Sequence, residues 1–205
     1  MIRRRTDWWM ISFNAAMGYH LFFNFTVNSR SRLLEPAVPG IDERLDQLWQ
    51  LCERFGAATV QWRFDPICHY RTNDGDIRDN LQDFQIIAAA AGQCGIDICI
   101  SSFMDHYRKI ARRTARRLTF LNPSMVEKVK IVADMAATLS PLGIQLALCC
   151  ENEVLEALPQ DCGIGPAGCI SAERIMAVPP ISTWSMISSP SSMCVFSTIP
   201  SPQLG

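Results

Sequence analysis

The 205-residue sequence lacks the features that would mark a membrane-spanning, nucleic-acid-binding or secreted protein. No apolar run approaches the ~20 residues that a membrane-spanning helix requires, so no membrane partner is expected. The formal net charge of −1 gives no bulk attraction to nucleic acid or anionic lipid. The N-terminus begins basic and turns apolar, but Asp7, Asn14 and His20 interrupt it and no small-x-small cleavage site follows. The sequence therefore predicts a cytoplasmic protein.

Signatures of metal and nucleotide sites are also scarce. The nine cysteines include no C-x-x-C pair, and neither a P-loop nor an H-E-x-x-H pattern occurs, so no metal site or P-loop is indicated. An odd number of cysteines in a chain of this size does not predict a disulfide framework, and most are expected to be small buried hydrophobes. Cys162 and Cys169, within DCGIGPAGCI, are the two that packing explains least.

Charge is missing altogether from the C-terminal segment. Residues 176–205 contain no charged residue, are rich in serine and proline, and show no sustained helical or strand period. They are predicted to form a disordered or loosely packed tail. The tail follows an atypical N-terminal segment (1–17) and one folded domain (18–175).

Between these ends, strand-like and helix-like patterns alternate. Aromatic, β-branched and apolar runs predict four strands, at 20–27, 58–66, 95–102 and 144–151. Apolar residues at helical spacing predict helices at 41–56, 77–91, 104–118 and 123–143. This order is typical of the α/β class, with parallel strands joined by right-handed crossover helices. Four strands cannot close an eight-stranded barrel, so we expect a partial or incomplete (βα) barrel whose exposed edges favour self-association.

Polar side chains follow each predicted strand where it ends. Crossover topology brings the carboxyl ends of parallel strands to one rim, where ligands bind in this class. Three carboxylates there are candidate catalytic groups: Asp65, Asp105 and Glu151. Four further side chains are candidate ligand-binding groups: Asn28, Arg63, Ser101 and Lys109. The planar fork of Arg63 suits a carboxylate or phosphate, or positions Asp65 or Glu151. Ordinary turn chemistry at strand ends is the competing explanation.

The segment RKIARRTARR (108–117) has six basic residues in ten and suggests an alternative function. At helical spacing the basic side chains form two adjacent rows: Arg108, Arg112 and Arg116, then Lys109, Arg113 and Arg117. Such a helix face is suited to binding phosphates, including those of nucleic acid. A solvated helix face explains the run equally well.

Six segments, in their order along the chain, resemble the uncharacterised bacterial proteins grouped as domain-of-unknown-function family 1848: FNFTVN (23–28), LEPAVPGIDERL (34–45), WRFDPI (62–67), SSFMDHYRK (101–109), CCE (149–151) and GCI (168–170). The resemblance covers residues 18–175. It implies a likeness to radical S-adenosylmethionine enzymes of the spore photoproduct lyase type, with a βα barrel and a C-terminal cysteine cluster for an iron–sulfur centre. It also implies that five matching rim residues are functional: Arg63, Asp65, Asp105, Lys109 and Glu151.

The chain departs from this family pattern in three places. RRRTD (3–7) is similar to an early segment of the family, but the strands expected between it and His20 are absent. Ser171 stands where the family usually has an aspartate, and the uncharged tail, with Cys194 as its one cysteine, stands where the cluster is expected. We therefore expect an enzyme-like barrel fragment without the cluster ligands, impaired or inactive, whose substrate is an unknown small molecule or nucleic acid. A metal-independent hydrolase or isomerase with Asp65 or Glu151 as base is a third alternative.

Overall fold

A computed structural model describes residues 21–105, 117–168, 172–177 and 194–197. The strands in these ranges are β1 (Leu21–Thr26), β2 (Val60–Ile67), β3 (His69–Thr72), β4 (Ile77–Asp79), β5 (Ile98–Phe103), β6 (Leu118–Leu121), β7 (Gln145–Cys149), β8 (Gly165–Ala167) and β9 (Cys194–Ser197). The α-helices are α1 (Ile41–Phe55), α2 (Phe84–Gln93), α3 (Met125–Leu139), α4 (Asn152–Ala157) and α5 (Ala172–Ala177).

Six strands form the main sheet, in the order β8-β7-β5-β2-β1-β9. Neighbouring strands among β1, β2, β5, β7 and β8 are parallel, and these five follow chain order across the sheet. The predicted α/β class with crossover helices is therefore confirmed, with one parallel strand more than expected. The order leaves β8 and β9 as the two edges, so the described sheet is open and a barrel is not confirmed.

The main core lies between this sheet and one layer of helices. Alternate strand residues point into that core, among them Phe23, Phe25, Trp62 and Phe64, all with no exposed surface. Phe84, at the start of α2, stacks on Trp62 with ring centroids 5.7 Å apart and meets Phe64 edge-on at 5.0 Å. Burying such large aromatic rings supplies much of the hydrophobic free energy that holds helices to a sheet. Helices α1, α2 and α3 thus share one face of the sheet, and the residues between the core positions point to the other face.

Local sequence determines where the two long helices begin and end. Gly56 follows α1 with a φ of 87°, which glycine adopts readily, and its N–H donates to the carbonyl of Cys52. Helix α3 begins with a capping box, in which Ser124 accepts from the Glu127 N–H and the Glu127 carboxylate accepts from the Ser124 N–H at 2.7 Å. The helices predicted at 41–56 and 123–143 are confirmed, the second with its last residues in a short 3₁₀ helix.

A second, smaller sheet has three antiparallel strands in the order β4-β3-β6, built from the segments that follow β2 and β5. Gly75, with a φ of 93°, closes the turn between β3 and β4 by donating its N–H to the Thr72 carbonyl. The helix predicted over 77–91 is therefore wrong in its first part, because Ile77–Asp79 pairs with β3. The helix predicted over 104–118 is wrong at both described ends, since Met104 and Asp105 are irregular and Leu118 lies in β6.

Part of the tail that was predicted to lack regular structure forms a strand. Within 176–205 the structure describes residues 176–177 and 194–197, and the last four make β9, which pairs antiparallel with β1. The division into three segments stays a prediction. In the described ranges, none of the helices combines the length and apolar character needed to cross a membrane.

Candidate functional site

The face of the main sheet opposite the helices carries polar side chains that lead to the carboxyl ends of the strands. The buried Gln61 amide donates to Asn24 Oδ1 at 2.6 Å, across the β1–β2 pair. One pleat further along, Thr26 of β1 is the register partner of Arg63. In a parallel sheet, register partners share a face, so these groups form one polar column. The column ends at Asp65.

Asp65 is the centre of a tightly bonded polar group at this rim. Arg63 donates to Asp65 Oδ2 through Nη2 at 2.7 Å and through Nε at 3.2 Å. Ser102, on β5, donates its hydroxyl hydrogen to the other oxygen, Oδ1. We call these three residues the Asp65 network. The Asp65 side chain keeps 22% of its surface exposed, so a carboxylate fixed on both oxygens is still accessible to a ligand.

Asn28, which follows β1, holds the backbone of Asp65 in place. Its Oδ1 accepts from the Asp65 N–H at 2.9 Å, and its Nδ2 donates to the Asp65 carbonyl and to Glu35 Oε1, each at 3.1 Å. The Asp65–Pro66 peptide is cis, and Asn80 Nδ2 donates to the Pro66 carbonyl at 2.9 Å. Two asparagine amides therefore fix the backbone on either side of this peptide.

A cavity of about 270 Å³ lies between the carboxyl edge of the main sheet and the small sheet. We call it the capped cavity, and its lining consists of Asn28, Ser29, Leu34, Glu35, Pro66, Cys68, Asn80, Met104 and Phe120. The main sheet and the segments after its strands supply one side of this lining, and Cys68, Asn80 and Phe120 belong to the small sheet or flank its strands. A mostly apolar concavity with a few fixed polar groups is the usual form of a small-molecule site.

The titratable groups of the capped cavity have distinct environments. Burial, together with the charges of Glu35 and Asp65, raises the pKa of the Cys68 thiol to about 12. Cys68 is thus a neutral thiol at physiological pH, unsuited to act as a nucleophile. Glu35 Oε2 is buried without a hydrogen-bond partner, and Arg44 Nη1 lies 3.7 Å from it.

A second polar group surrounds Glu151, which follows β7. The Phe103 N–H donates to Glu151 Oε1 at 2.7 Å, and Lys128 Nζ lies 5.0 Å from the centre of the Phe103 ring. Burial raises the pKa of the Glu151 carboxyl, the Phe103 N–H and Lys128 oppose that shift, and Asp105 adds to it. A carboxyl whose pKa is raised by burial is a general acid–base candidate, although structural groups show such shifts too.

The structure brings only some of the predicted site residues together. Arg63, Asp65 and Asn28 are joined by hydrogen bonds, and Asp105 lies within electrostatic range of Glu151. Among the described residues, no hydrogen bond joins Asp65 to Glu151 directly, and their partners Ser102 and Phe103 are neighbours on β5. Ser101 is fully buried and donates to the Phe64 carbonyl. Five basic candidates lie outside the described residues, so their roles stay predictions: Arg108, Lys109, Arg112, Arg113 and Arg116.

Three functional candidates were missed from the sequence: Ser102, Glu35 and Cys68. Ser102, rather than Ser101, occupies the position that faces Asp65. Glu35 could have been found as a single acidic residue in LLEPAVPG, between the first predicted strand and the first predicted helix. Cys68 gives no such signal, because a cysteine after a buried strand is most often a packing residue.

GIGPAG (163–168) matches the G-x-G-x-x-G pattern of dinucleotide-binding loops, which was also overlooked. That motif binds pyrophosphate where it turns from a strand into a helix. Here Gly165–Ala167 is itself strand β8, paired with β7. The structural context therefore does not support dinucleotide binding at this segment.

The thiols in the described ranges do not suit an iron–sulfur cluster, which needs three or four converging cysteines. Cys149 and Cys150 have their sulfurs 3.7 Å apart, and Cys52 is hydrogen-bonded to Cys94. No group of three or more cysteine, histidine or carboxylate side chains within those ranges is arranged to hold a metal ion. The described donor set thus does not fit the cluster that the family resemblance implies.

Comparison with known protein families gives a match over most of the chain. The family described as "Domain of unknown function (DUF1848)" matches residues 10–194, which spans most of the chain and both groups of rim residues. Neither the curated proteins nor the solved structures contain a match.

Proposed function

The chain belongs to the DUF1848 family, and we propose that it is an enzyme that acts on a small organic molecule at the carboxyl edge of its parallel sheet. The observation that carries this proposal is the capped cavity, which lies beside an accessible and immobilised carboxylate. Pro66 lines the cavity, and Asp65 is close enough for its charge to raise the pKa of Cys68 on the cavity wall. Active sites of parallel βα folds lie at this edge.

The proposed chemistry is acid–base catalysis by Asp65. Arg63 occupies Oδ2 with two hydrogen bonds, which leaves Oδ1 and the Ser102 hydroxyl as the groups that can exchange a proton with a ligand. A substrate O–H or acidic C–H that replaces Ser102 at Oδ1 would transfer its proton to Asp65 while Arg63 holds the carboxylate in position. This arrangement supports a hydrolase or isomerase class.

We also propose that the chain is related to radical S-adenosylmethionine enzymes, as the family resemblance implies. Such chemistry takes its electron from an iron–sulfur cluster, and the described thiols do not form a ligand set for one. We propose that cluster-dependent activity is impaired in this chain. Anaerobic reconstitution with iron and sulfide should then give no stoichiometric visible absorption, and a stable cluster of full occupancy would contradict that part.

Turnover tests the acid–base proposal directly. A panel of small hydroxy and keto acids and sugars would be incubated with the protein in D₂O, with hydrolysis and deuterium uptake followed by NMR. Asp65→Asn should lower the rate by about 10²-fold or more, the usual contribution of a general acid–base group. Asp161→Asn is the matched control, because Asp161 is exposed and remote in sequence from the site. An activity that survives Asp65→Asn within about threefold would contradict the role of Asp65.

Ligand binding tests the cavity independently of the chemistry. Leu34 lines the capped cavity, so Leu34→Trp should fill it and weaken binding of any substrate found in the panel by about tenfold or more. Val126→Trp is the control, since Val126 is 80% exposed on α3. Equal affinity in both variants would show that the substrate binds elsewhere.

A further inference from the structure

A second, smaller cavity of about 100 Å³ lies on the other side of Glu35 and is basic. Three arginines line it, Arg30 and Arg32 from the segment after β1 and Arg44 from α1, against the single carboxylate of Glu35. We call it the Arg44 cavity. Its volume is about three times the volume of a water molecule in the liquid, which suits a small oxyanion better than a larger organic molecule.

Arg44 is the buried cation of this cavity. The residue is 2% exposed, yet among the described residues its Nε has no hydrogen-bond partner, and its ion pair to Glu35 Oε2 is 3.7 Å long. Burial lowers the pKa of Arg44, and the charges of Glu35 and Asp83 act against that shift. A buried guanidinium normally satisfies its donors, because an unpaired one loses the hydration that it has in water. Arg44 lines the cavity, so its unsatisfied donor points to a ligand there that accepts hydrogen bonds.

Glu35 carries an unsatisfied acceptor beside this donor. Its Oε1 accepts from Asn28, but Oε2 is buried without a hydrogen-bond donor. A carboxylate oxygen can only accept, so a ligand beside it must bring a hydrogen. Arg44 and Glu35 both line the cavity, with Nη1 and Oε2 3.7 Å apart, and each carries one buried polar atom without a hydrogen-bond partner.

The amino end of α1 adds donors to the same cavity. Gly40 is the N-cap of this 15-residue helix, lines the cavity, and has no side chain to cap the first turn. The unsatisfied N–H groups and the positive end of the helix dipole favour a bound anion. Arg30 and Arg32 are exposed, and neither side chain forms an ion pair with another described residue, so both are available to a ligand.

We propose that the Arg44 cavity binds a protonated phosphate group, whose anionic oxygens accept from Arg44 and whose P–O–H donates to Glu35 Oε2. The planar guanidinium of arginine matches two phosphate oxygens, and such charge-assisted hydrogen bonds are the strong ones. Sulfate has the same shape but carries no proton at neutral pH, so it leaves Glu35 Oε2 facing another anion. The site is therefore selective for phosphate over sulfate. This inference does not depend on the reaction proposed at the capped cavity.

Calorimetric titration of the full chain with inorganic phosphate and with sulfate, at constant ionic strength, tests the site. Phosphate should bind at least about tenfold more tightly than sulfate, because an unmet charged acceptor costs that much or more. Glu35→Gln should bring the two affinities close to each other, since the amide can donate to either ion. Equal affinity of the wild-type protein for both ions, or no phosphate binding at all, would overturn the proposal.

Charge-matched variants separate a specific site from general attraction. Arg44→Gln should weaken phosphate binding by about ten- to a hundredfold, and Arg32→Gln by severalfold. Arg54→Gln, at the far end of α1, removes the same charge and should leave the affinity within about twofold. An equal loss in all three variants refutes the site. If Arg44→Gln does not fold, exposed Arg32 and Glu35→Gln still decide the question.

Methyl phosphate distinguishes the two sources of a phosphate group. If it binds as tightly as inorganic phosphate, and as dependently on Arg44, the site holds the phosphate of a larger ligand. If it binds far more weakly while inorganic phosphate still binds, the site holds the free ion. Both results support phosphate recognition, and failure of both ligands to bind excludes it.

Discussion

The variant Asn28→Ala tests whether one amide holds the candidate site together. Asn28 is 4% exposed and makes three hydrogen bonds, two to the backbone of Asp65 and one to Glu35. Alanine removes all three and leaves the methyl group in their place. The Asp65 N–H and carbonyl, and Glu35 Oε1, then lose this partner together.

The expected loss of stability follows from those three groups. Leaving a buried polar group without its partner costs about 1–3 kcal/mol, and hydrogen bonds to charged groups lie at the upper end. The space vacated by the amide lies beside the capped cavity, so water can enter and satisfy part of the loss. We therefore expect the free energy of unfolding to fall by about 2–4 kcal/mol, short of the sum of three full penalties.

Urea denaturation gives this difference from the midpoint and slope of the transition. Asn122→Ala is the matched control, because Asn122 is exposed, and a surface substitution should change the free energy of unfolding by less than about 0.5 kcal/mol. The two variants lose the same atoms, so helix propensity and unfolded-state effects are similar. A loss for Asn28→Ala no larger than that of the control would show that the Asp65 backbone is held by other contacts, and would remove the basis for a rigid site.

Three further outcomes are expected. Burial raises the pKa of Glu151, so its stabilising contribution is present at low pH and lost as pH rises through that pKa. Glu151→Gln should thus gain stability relative to wild type as pH rises above about 4.3, the usual pKa of glutamate, measured by urea titration, and an unchanged difference would contradict this. Mass-mapped alkylation should modify exposed Cys150 well before Cys68, whose pKa is raised to about 12, and equal rates would contradict the described burial. Ser124→Ala removes the capping box of α3 and should lower the free energy of unfolding by about 1 kcal/mol, whereas no loss would show that α3 does not depend on its cap.

The main sheet could be predicted from sequence because its strands are apolar runs bounded by clear breakers. The small sheet could not. Ile77–Asp79 looks like the start of a helix when read with Leu81 and Phe84, yet the NDG turn at 73–75 folds it back on β3. A three-residue strand has too little pattern to outweigh a longer helical period, so the cap over the cavity stayed hidden. The cavity itself is formed by that cap.

The sequence was enough to predict which edge of the sheet carries the candidate residues, but not on which face of the sheet each side chain lies. Parallel topology brings Asp65 and Glu151 to one edge, whereas the pleat decides on which side each side chain lies. In β2 the alternation is visible in the sequence, because Arg63 and Asp65 are separated from each other by the core residue Phe64. In β5 both faces are apolar, so nothing in ICISSF tells Ser101 from Ser102, and only the register shows that Ser102 meets Asp65.

A site at the edge of such a sheet depends on the segments that follow the strands more than on the strands themselves. Asn28, Glu35 and Asn80 all lie in such segments. Asn28 bonds the Asp65 backbone and the Glu35 carboxylate, and Asn80 bonds the Pro66 carbonyl. Glu35 lines both cavities, one mostly apolar and one basic. Its Oε1 accepts a hydrogen bond from Asn28, whereas its Oε2 has no donor among the described residues. A ligand that donates to Oε2 would therefore tighten the same segment that positions Asn28 on Asp65. We therefore expect phosphate binding and the geometry of Asp65 to be coupled. Asn28→Ala should weaken this coupling, because Asn28 bonds both Glu35 and Asp65.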